Sequence, residues 1–157
     1  MQNRTRTHPS ADARSTTMAQ HIEETLVLVK PDGVERNLVG EILARIERKG
    51  YVIADLKMLT PTRSMLERHY EEHQGKPFFD PLVDFMASGP VVAVRVTGNS
   101  VIEGFRSLAG KTDPTVAAPG TIRGDLGRDW GESVQKNLVH GSDSSLSAER
   151  ELGIWFG

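Results

Sequence analysis

The chain has 157 residues, 38% hydrophobic and 25% charged, with 19 basic against 21 acidic side chains and a formal net charge of −2. That balance fits one globular domain and excludes a collagen-like chain, a wholly disordered chain and a polycation built for nucleic acid. The absence of cysteine rules out a disulfide framework, a Cys-zinc site and a thiol nucleophile, and no apolar run approaches the ~20 residues that span a bilayer.

Residues 1–22 carry two Arg-Thr pairs, Pro9 and many small polar side chains, with too little apolar surface to offset the entropy of ordering. They are expected to form a disordered arm ahead of a domain over 23–157. Thr25-Leu26-Val27-Leu28-Val29 reads as a buried central strand, ended by the turn chemistry of Lys30-Pro31-Asp32-Gly33. Leu38 to Lys49 has a helical stripe at Leu38, Ile42, Leu43 and Ile46, closed by Gly50. Tyr51 to Leu59 is a second strand. Helices are expected over Met65–His73 and Pro81–Met86, and Val91 to Val96 is the most strand-like run in the chain. Another helix spans Val101–Leu108. Gly110 to Gly131 holds five glycines and two prolines with no helical or alternating pattern, and reads as a long functional loop. A short strand at Val134–Val139 and a helix at Ser147–Leu152 complete the order. The sum is an α+β chain: a ferredoxin-like, split βαβ, antiparallel four-stranded sheet with helices packed on it. That architecture serves enzymes, RNA binders and metabolite sensors alike, so the site must decide function.

His140 lies at a strand end before Gly141, where a side chain projects from a rigid element towards the long loop. Lys30 also closes a strand, Arg106 sits on the helix before the loop and Arg123 within it. Together these cations suit a polyphosphate, because phosphoryl transfer depends mainly on positioning and electrostatic stabilisation. The glycine-rich phosphate cradles G-x-x-x-x-G-K-[ST] and G-x-G-x-x-G are missing, so nucleotide would be held by side chains. His69 and His73 have zinc-ligand spacing, but Tyr70 stands where a metalloprotease needs Glu, and the pair reads as ordinary helix packing.

Thr25–Gly33, Lys76-Pro77-Phe78-Phe79, Ser88-Gly89-Pro90-Val91-Val92, Pro119–Asp125 and Asn137–Ser144 resemble, in order, the blocks of the nucleoside diphosphate kinase family. The resemblance implies transfer of the γ-phosphoryl group of a nucleoside triphosphate, mainly ATP, to a nucleoside diphosphate by a ping-pong route through a phosphohistidine. It makes His140 the nucleophile, Glu151 the carboxylate that orients its ring, and Ser142 their neighbour. By the same resemblance Lys30 and Asn137 hold the sugar hydroxyls, and Arg106, Thr112 and Arg123 the phosphates. Tyr70 lines the site near the γ-phosphate, and Phe78 and Val134 clamp the base. Mg²⁺ is expected to arrive on the nucleotide phosphates, with no protein metal site. The family implies a homo-oligomer, hexamer or tetramer. The lack of cysteine is compatible with the cytoplasm, the lack of a long apolar run argues against a membrane, and the net charge of −2 with no aromatic in Thr25–Val29 or Val91–Val96 argues against nucleic acid as a partner. Two departures stand out. The stretch Leu126–Lys136 is a few residues longer than the family pattern, and Asn37 replaces a common glycine.

Overall fold

The computed structural model describes residues 22–134 and 136–157. The arm expected over 1–22 therefore lies outside the described residues, except for Ile22, which is the first residue of a strand rather than part of the arm. The strands are β1 (Ile22–Val29), β2 (Val52–Leu59), β3 (Val91–Asn99) and β4 (Val139–Gly141). They form one sheet in the order β2-β3-β1-β4, with every neighbouring pair antiparallel. The helices are α1 (Pro31–Glu35), α2 (Val39–Arg48), α3 (Arg63–His69), α4 (Phe79–Met86), α5 (Val101–Ala109), α6 (Ile122–Leu126) and α7 (Ser145–Phe156). Because β3 slots between β1 and β2, the architecture is the predicted split βαβ, ferredoxin-like α+β fold.

The unbroken apolar run of β1 explains why helices cover both faces. Successive side chains of a strand point to opposite faces, and Thr25 through Val29 are all fully buried. Val27 and Val29, with Val92, Val94 and Val96 of β3, pack on Ile42 and Ile46 of α2 and on Val101 and Phe105 of α5. Leu26 and Leu28, with Val91 and Ala93, pack on Leu66 of α3, Val83 and Met86 of α4, and Leu152 and Trp155 of α7.

Several boundaries differ from expectation for local physical reasons. Lys30–Gly33, predicted as a turn, opens α1, because proline is preorganised for the first helical turn and lacks only an N–H that would have no helical partner there. The segment 110–131, predicted without helix, contains α6, whose start is capped by the Thr121 hydroxyl accepting from Gly124 N–H at 2.9 Å. The strand expected over Val134–Val139 is a correction in the other direction. Leu138 has φ of 73°, which breaks the extended run, and β4 begins only at Val139. The helix expected over Met65–His73 is α3 followed by a 3₁₀ turn at Glu71–His73. Asn37, where a glycine was expected, sits at φ of 59°, a left-handed conformation that asparagine tolerates better than most residues.

Candidate active site

Four segments converge where the carboxyl end of β1 meets β4. The first contact is backbone to backbone: Lys30 N–H donates to the Leu138 carbonyl at 2.8 Å. Asp32, in the first turn of α1, accepts from Leu138 N–H at 3.1 Å. The Lys30 ammonium donates to Asn137 Oδ1 at 2.8 Å, while Asn137 Nδ2 donates to the Thr112 carbonyl at 3.1 Å. Leu138 is thus held on both sides in its left-handed conformation, a strain that persists only where surrounding contacts over-determine it. The Lys-Pro-Asp-Gly segment, read from sequence as a turn, is the bracket that aims the next two residues, and the second of these is His140.

A cleft of about 1060 Å³ opens beside this bracket. Its walls include Lys30, Tyr70, Arg106, Thr112, Arg123, Asn137, His140 and Glu151, eight of the residues singled out from the sequence. His140 Nε2 lies 2.8 Å from Glu151 Oε1, and Ser142 Oγ donates to the same oxygen at 2.7 Å. Ser142 is fully buried beneath the cleft and its hydroxyl accepts in turn from Leu26 N–H at 3.2 Å. This chain fixes the buried carboxylate from below and leaves its upper contact to the imidazole. Because Nε2 is committed to Glu151, the neutral ring keeps its proton there and presents the Nδ1 lone pair for attack. The orienting role is that of the acid in a catalytic triad.

Arg123 makes backbone contacts that the sequence did not announce. Its Nε donates to the Asn137 carbonyl, and its two terminal nitrogens donate to the carbonyls of Gly110 and Val139 at 3.0 and 2.7 Å. Three of its five hydrogens therefore tie the long loop to β4, and two remain for a ligand. Burial holds its guanidinium down to about 10, with the Arg106 charge acting the same way. Burial likewise lowers the Lys30 ammonium to about 8, reinforced by Arg123 and opposed by Asp32. Two half-buried cations that raise each other's cost of being charged are poised to gain from an incoming anion. Arg106 and Thr112 are exposed along the same wall. Tyr70 is buried, and burial raises its phenol above the usual range, so it stays protonated.

Phe78 and Val134, expected as base contacts, are not among the cleft walls. Phe78 is 49% exposed, with its ring 5.2 Å from that of His73, which does line the cleft. Val134 lines a separate recess of about 180 Å³ with Pro114 and Trp130 of the longer stretch. In that stretch the Trp130 ring is flanked by the guanidiniums of Arg36 at 5.4 Å and Arg128 at 4.6 Å. Sequence reasoning missed the buried Asp32 and the Arg150 that lines the cleft beside Glu151. It also took His69 for a packing residue, although His69 faces the nucleophile. A signal for Asp32 was present, an acid inside a turn at a strand end, but nothing local marked the other two.

A histidine oriented by a carboxylate at the base of a cation-lined cleft defines an enzyme that moves an anionic group through its imidazole. Comparison with known proteins makes this particular. Residues 23–157 match the family model described as nucleoside diphosphate kinase. The chain is 60% identical over 135 residues to the nucleoside diphosphate kinase of Streptomyces avermitilis, covering 85% of this chain and 96% of that one. It is 58% identical over 135 residues to the enzyme of Thermobifida fusca, covering 86% and 97%. Among solved structures it is similar to a nucleoside diphosphate kinase family protein from Babesia bovis, with TM-score 0.80, 45% identity and coverage of 85% and 88%. It is also similar to the Borrelia burgdorferi enzyme, solved as a transition-state mimic with vanadate and ADP, with TM-score 0.82, 36% identity and coverage of 87% and 88%. The chain belongs to the nucleoside diphosphate kinase family of phosphotransferases.

Proposed function

We propose that this chain moves the γ-phosphoryl group of ATP or another nucleoside triphosphate onto His140 Nδ1, and from there onto a nucleoside diphosphate. The observation that carries the reading is the 2.8 Å contact of His140 Nε2 with a carboxylate that is itself fixed from below. In the first half-reaction the Nδ1 lone pair forms the N–P bond as the bond between the γ-phosphorus and the bridging oxygen breaks. That oxygen leaves with the nucleoside diphosphate. The phosphorylated ring keeps its Nε2 proton and is left cationic, a charge that Glu151 stabilises. The second half-reaction reverses these steps with a different diphosphate, and no proton needs to leave the site.

Arg106 and the two remaining hydrogens of Arg123 are assigned to the phosphates, with Thr112 beside them, and Lys30, expected at the sugar hydroxyls, also lends its charge to the phosphates. Since the Lys30 ammonium already donates to Asn137, the pair supports the sugar end of the nucleotide as one unit. Phe78 at the rim and Val134 in its recess are the assigned base contacts. Few base-edge hydrogen bonds are on offer there, so discrimination among bases should be weak. Mg²⁺ fits as an ion carried in by phosphate oxygens and water, neutralising polyphosphate charge. Among the described residues the one cluster of three potential ligands is His69, His140 and Glu151, which is no oxygen cage.

The same reading has the protein working as a homo-oligomer in the cytoplasm, with residues 1–22 as an appendage to the domain at 23–157. Support for assembly comes from edge strand β2, where Val52, Leu56 and Met58 are 60%, 47% and 60% exposed. Among the described residues no helix is long and apolar enough to cross a membrane. The deciding experiment labels the protein with γ-labelled ATP. An acid-labile, alkali-stable phosphoprotein is expected, which a nucleoside diphosphate discharges. In His140→Ala both label and exchange should fall by about 10³-fold or more. Undiminished exchange in that variant would end the reading.

A further inference from the structure

His69 is the last residue of α3 and is 4% exposed, yet its ring lines the cleft. Its Nδ1 accepts a hydrogen bond from Trp155 Nε1 at 3.1 Å, and Trp155 is itself only 1% exposed. An indole N–H can only donate, so His69 Nδ1 must keep its lone pair and the neutral ring must carry its proton on Nε2. The His69 and His140 ring centroids are 4.7 Å apart at an interplanar angle of 71°. One ring nitrogen of each, and one Glu151 oxygen, lie within 4.8 Å of one another.

Two imidazoles and a carboxylate so close suggest either a chelated metal or a hydrogen-bond donor set beside a nucleophile, and Trp155 separates these. Ligation through His69 Nε2 would move its proton to Nδ1, directly against the indole N–H. That would leave two buried donors facing each other, at a cost of about 1–3 kcal/mol. The tautomer Trp155 imposes is the wrong one for a metal and the right one for donating to an oxygen anion.

We propose that His69 is a second catalytic histidine, which never carries the phosphoryl group but donates its Nε2–H to a phosphoryl oxygen as that group passes to and from His140. The inference rests on His140 being the phosphoryl carrier. With ring centroids 4.7 Å apart, the two imidazoles are close enough for N–P and P–O bonds followed by an N–H···O contact of about 2.9 Å to bridge them. Charge supports the same role. Burial keeps His69 well below the usual imidazole range, and the charges of His140, Arg150, Lys30 and His73 act in the same direction. A neutral donor steadies the phosphoryl oxygens without opposing the positive charge that forms on the phosphorylated His140 ring.

The test compares His69→Phe, which keeps ring bulk without a donor, His69→Gln, which keeps an N–H donor, and Trp155→Phe, which keeps packing but frees the tautomer. Folding is checked by circular dichroism, the His69 tautomer by ¹⁵N NMR, and the single-turnover rate of His140 phosphorylation is measured with saturating ATP. The expected result is a rate about 10–100-fold lower in His69→Phe with little change in KM, on the scale of one lost hydrogen bond to a charged group. His69→Gln should recover part of the loss. Trp155→Phe should show mixed tautomers and an intermediate rate. Wild-type phosphorylation rates in folded His69→Phe and His69→Gln, or a full rate in Trp155→Phe with a mixed tautomer, would overturn the proposal. So would tight binding of Zn²⁺ alone to the wild type that is lost in His69→Gln. If His140→Ala still labels, it is the carrier reading itself that fails; if labelling is lost there while His69 variants run at full rate, only the role of His69 falls.

Discussion

At the scale of single residues, the site works by denying its side chains alternatives. Glu151 is 5% exposed and spends one oxygen on both the Ser142 hydroxyl and His140 Nε2, which leaves Nδ1 of the imidazole free. Glu151→Gln keeps the shape but removes the charge that balances a phosphorylated ring. Its kcat should fall about 10–150-fold, the equivalent of about 1.5–3 kcal/mol for a hydrogen bond to a charged group, with a smaller change in KM. Stopped-flow phosphorylation by ATP would measure it, and an unchanged rate would remove Glu151 from the mechanism. Lys30 makes a pH prediction. Its ammonium is lowered to about 8, so in the free protein the cation is present below that pH and lost as pH rises through it. KM for a nucleoside triphosphate should therefore climb above about pH 8, and in Lys30→Gln it should start high and stay flat. Because bound phosphate favours the protonated amine, binding near pH 8.5 should take up protons, visible by calorimetry in buffers of different ionisation enthalpy. A flat KM in the wild type would show that Lys30 does not meet the phosphates.

Among elements, the decisive one is the short helix α6. It carries Arg123, whose three backbone contacts join the loop after α5 to β4. Its geometry leaves no room for a side chain at Gly124, where an added Cβ would run into the carbonyl group of Ala118. Backbone cannot swing aside as a flexible side chain can. Gly124→Ala should therefore cost about 1–3 kcal/mol of stability, lowering Tm by about 2–4 °C per kcal/mol, and should raise KM by shifting Arg123. Thermal melts and steady-state kinetics report both, and an unaltered Tm would mean that the loop yields freely. This element was illegible in the sequence because five residues with two charges and a glycine carry no helical stripe; a threonine cap and tertiary contacts make it. Helices α2 and α5, by contrast, were plain from apolar spacing, since their buried faces repeat every three or four residues.

For the molecule as a whole, helices pack on both faces of the sheet around β1 and β3. What remains open is the β2 edge. Leu56 and Met58 pair with Val94 and Val92 of β3 yet stay largely exposed, and an apolar edge strand invites pairing with another chain. If assembly uses this edge, Leu56→Lys combined with Met58→Lys should yield a smaller species in sedimentation velocity while circular dichroism stays unchanged. A variant that sediments like the wild type would place the contact elsewhere.

The amino-acid sequence by itself determined the order of strands and helices along the chain and the apolar faces they bury, and its resemblance to a family pointed to His140. These are written in short-range terms: alternation, apolar spacing, and the run Asn137–Ser144. Most of the cleft wall followed from the same blocks. Tertiary structure alone decided which nitrogen of His140 is free, that Arg123 spends most of its fork on backbone, and that Trp155 sets the tautomer of His69. Each of those depends on a hydrogen bond whose direction no local pattern encodes, the last between side chains 86 residues apart.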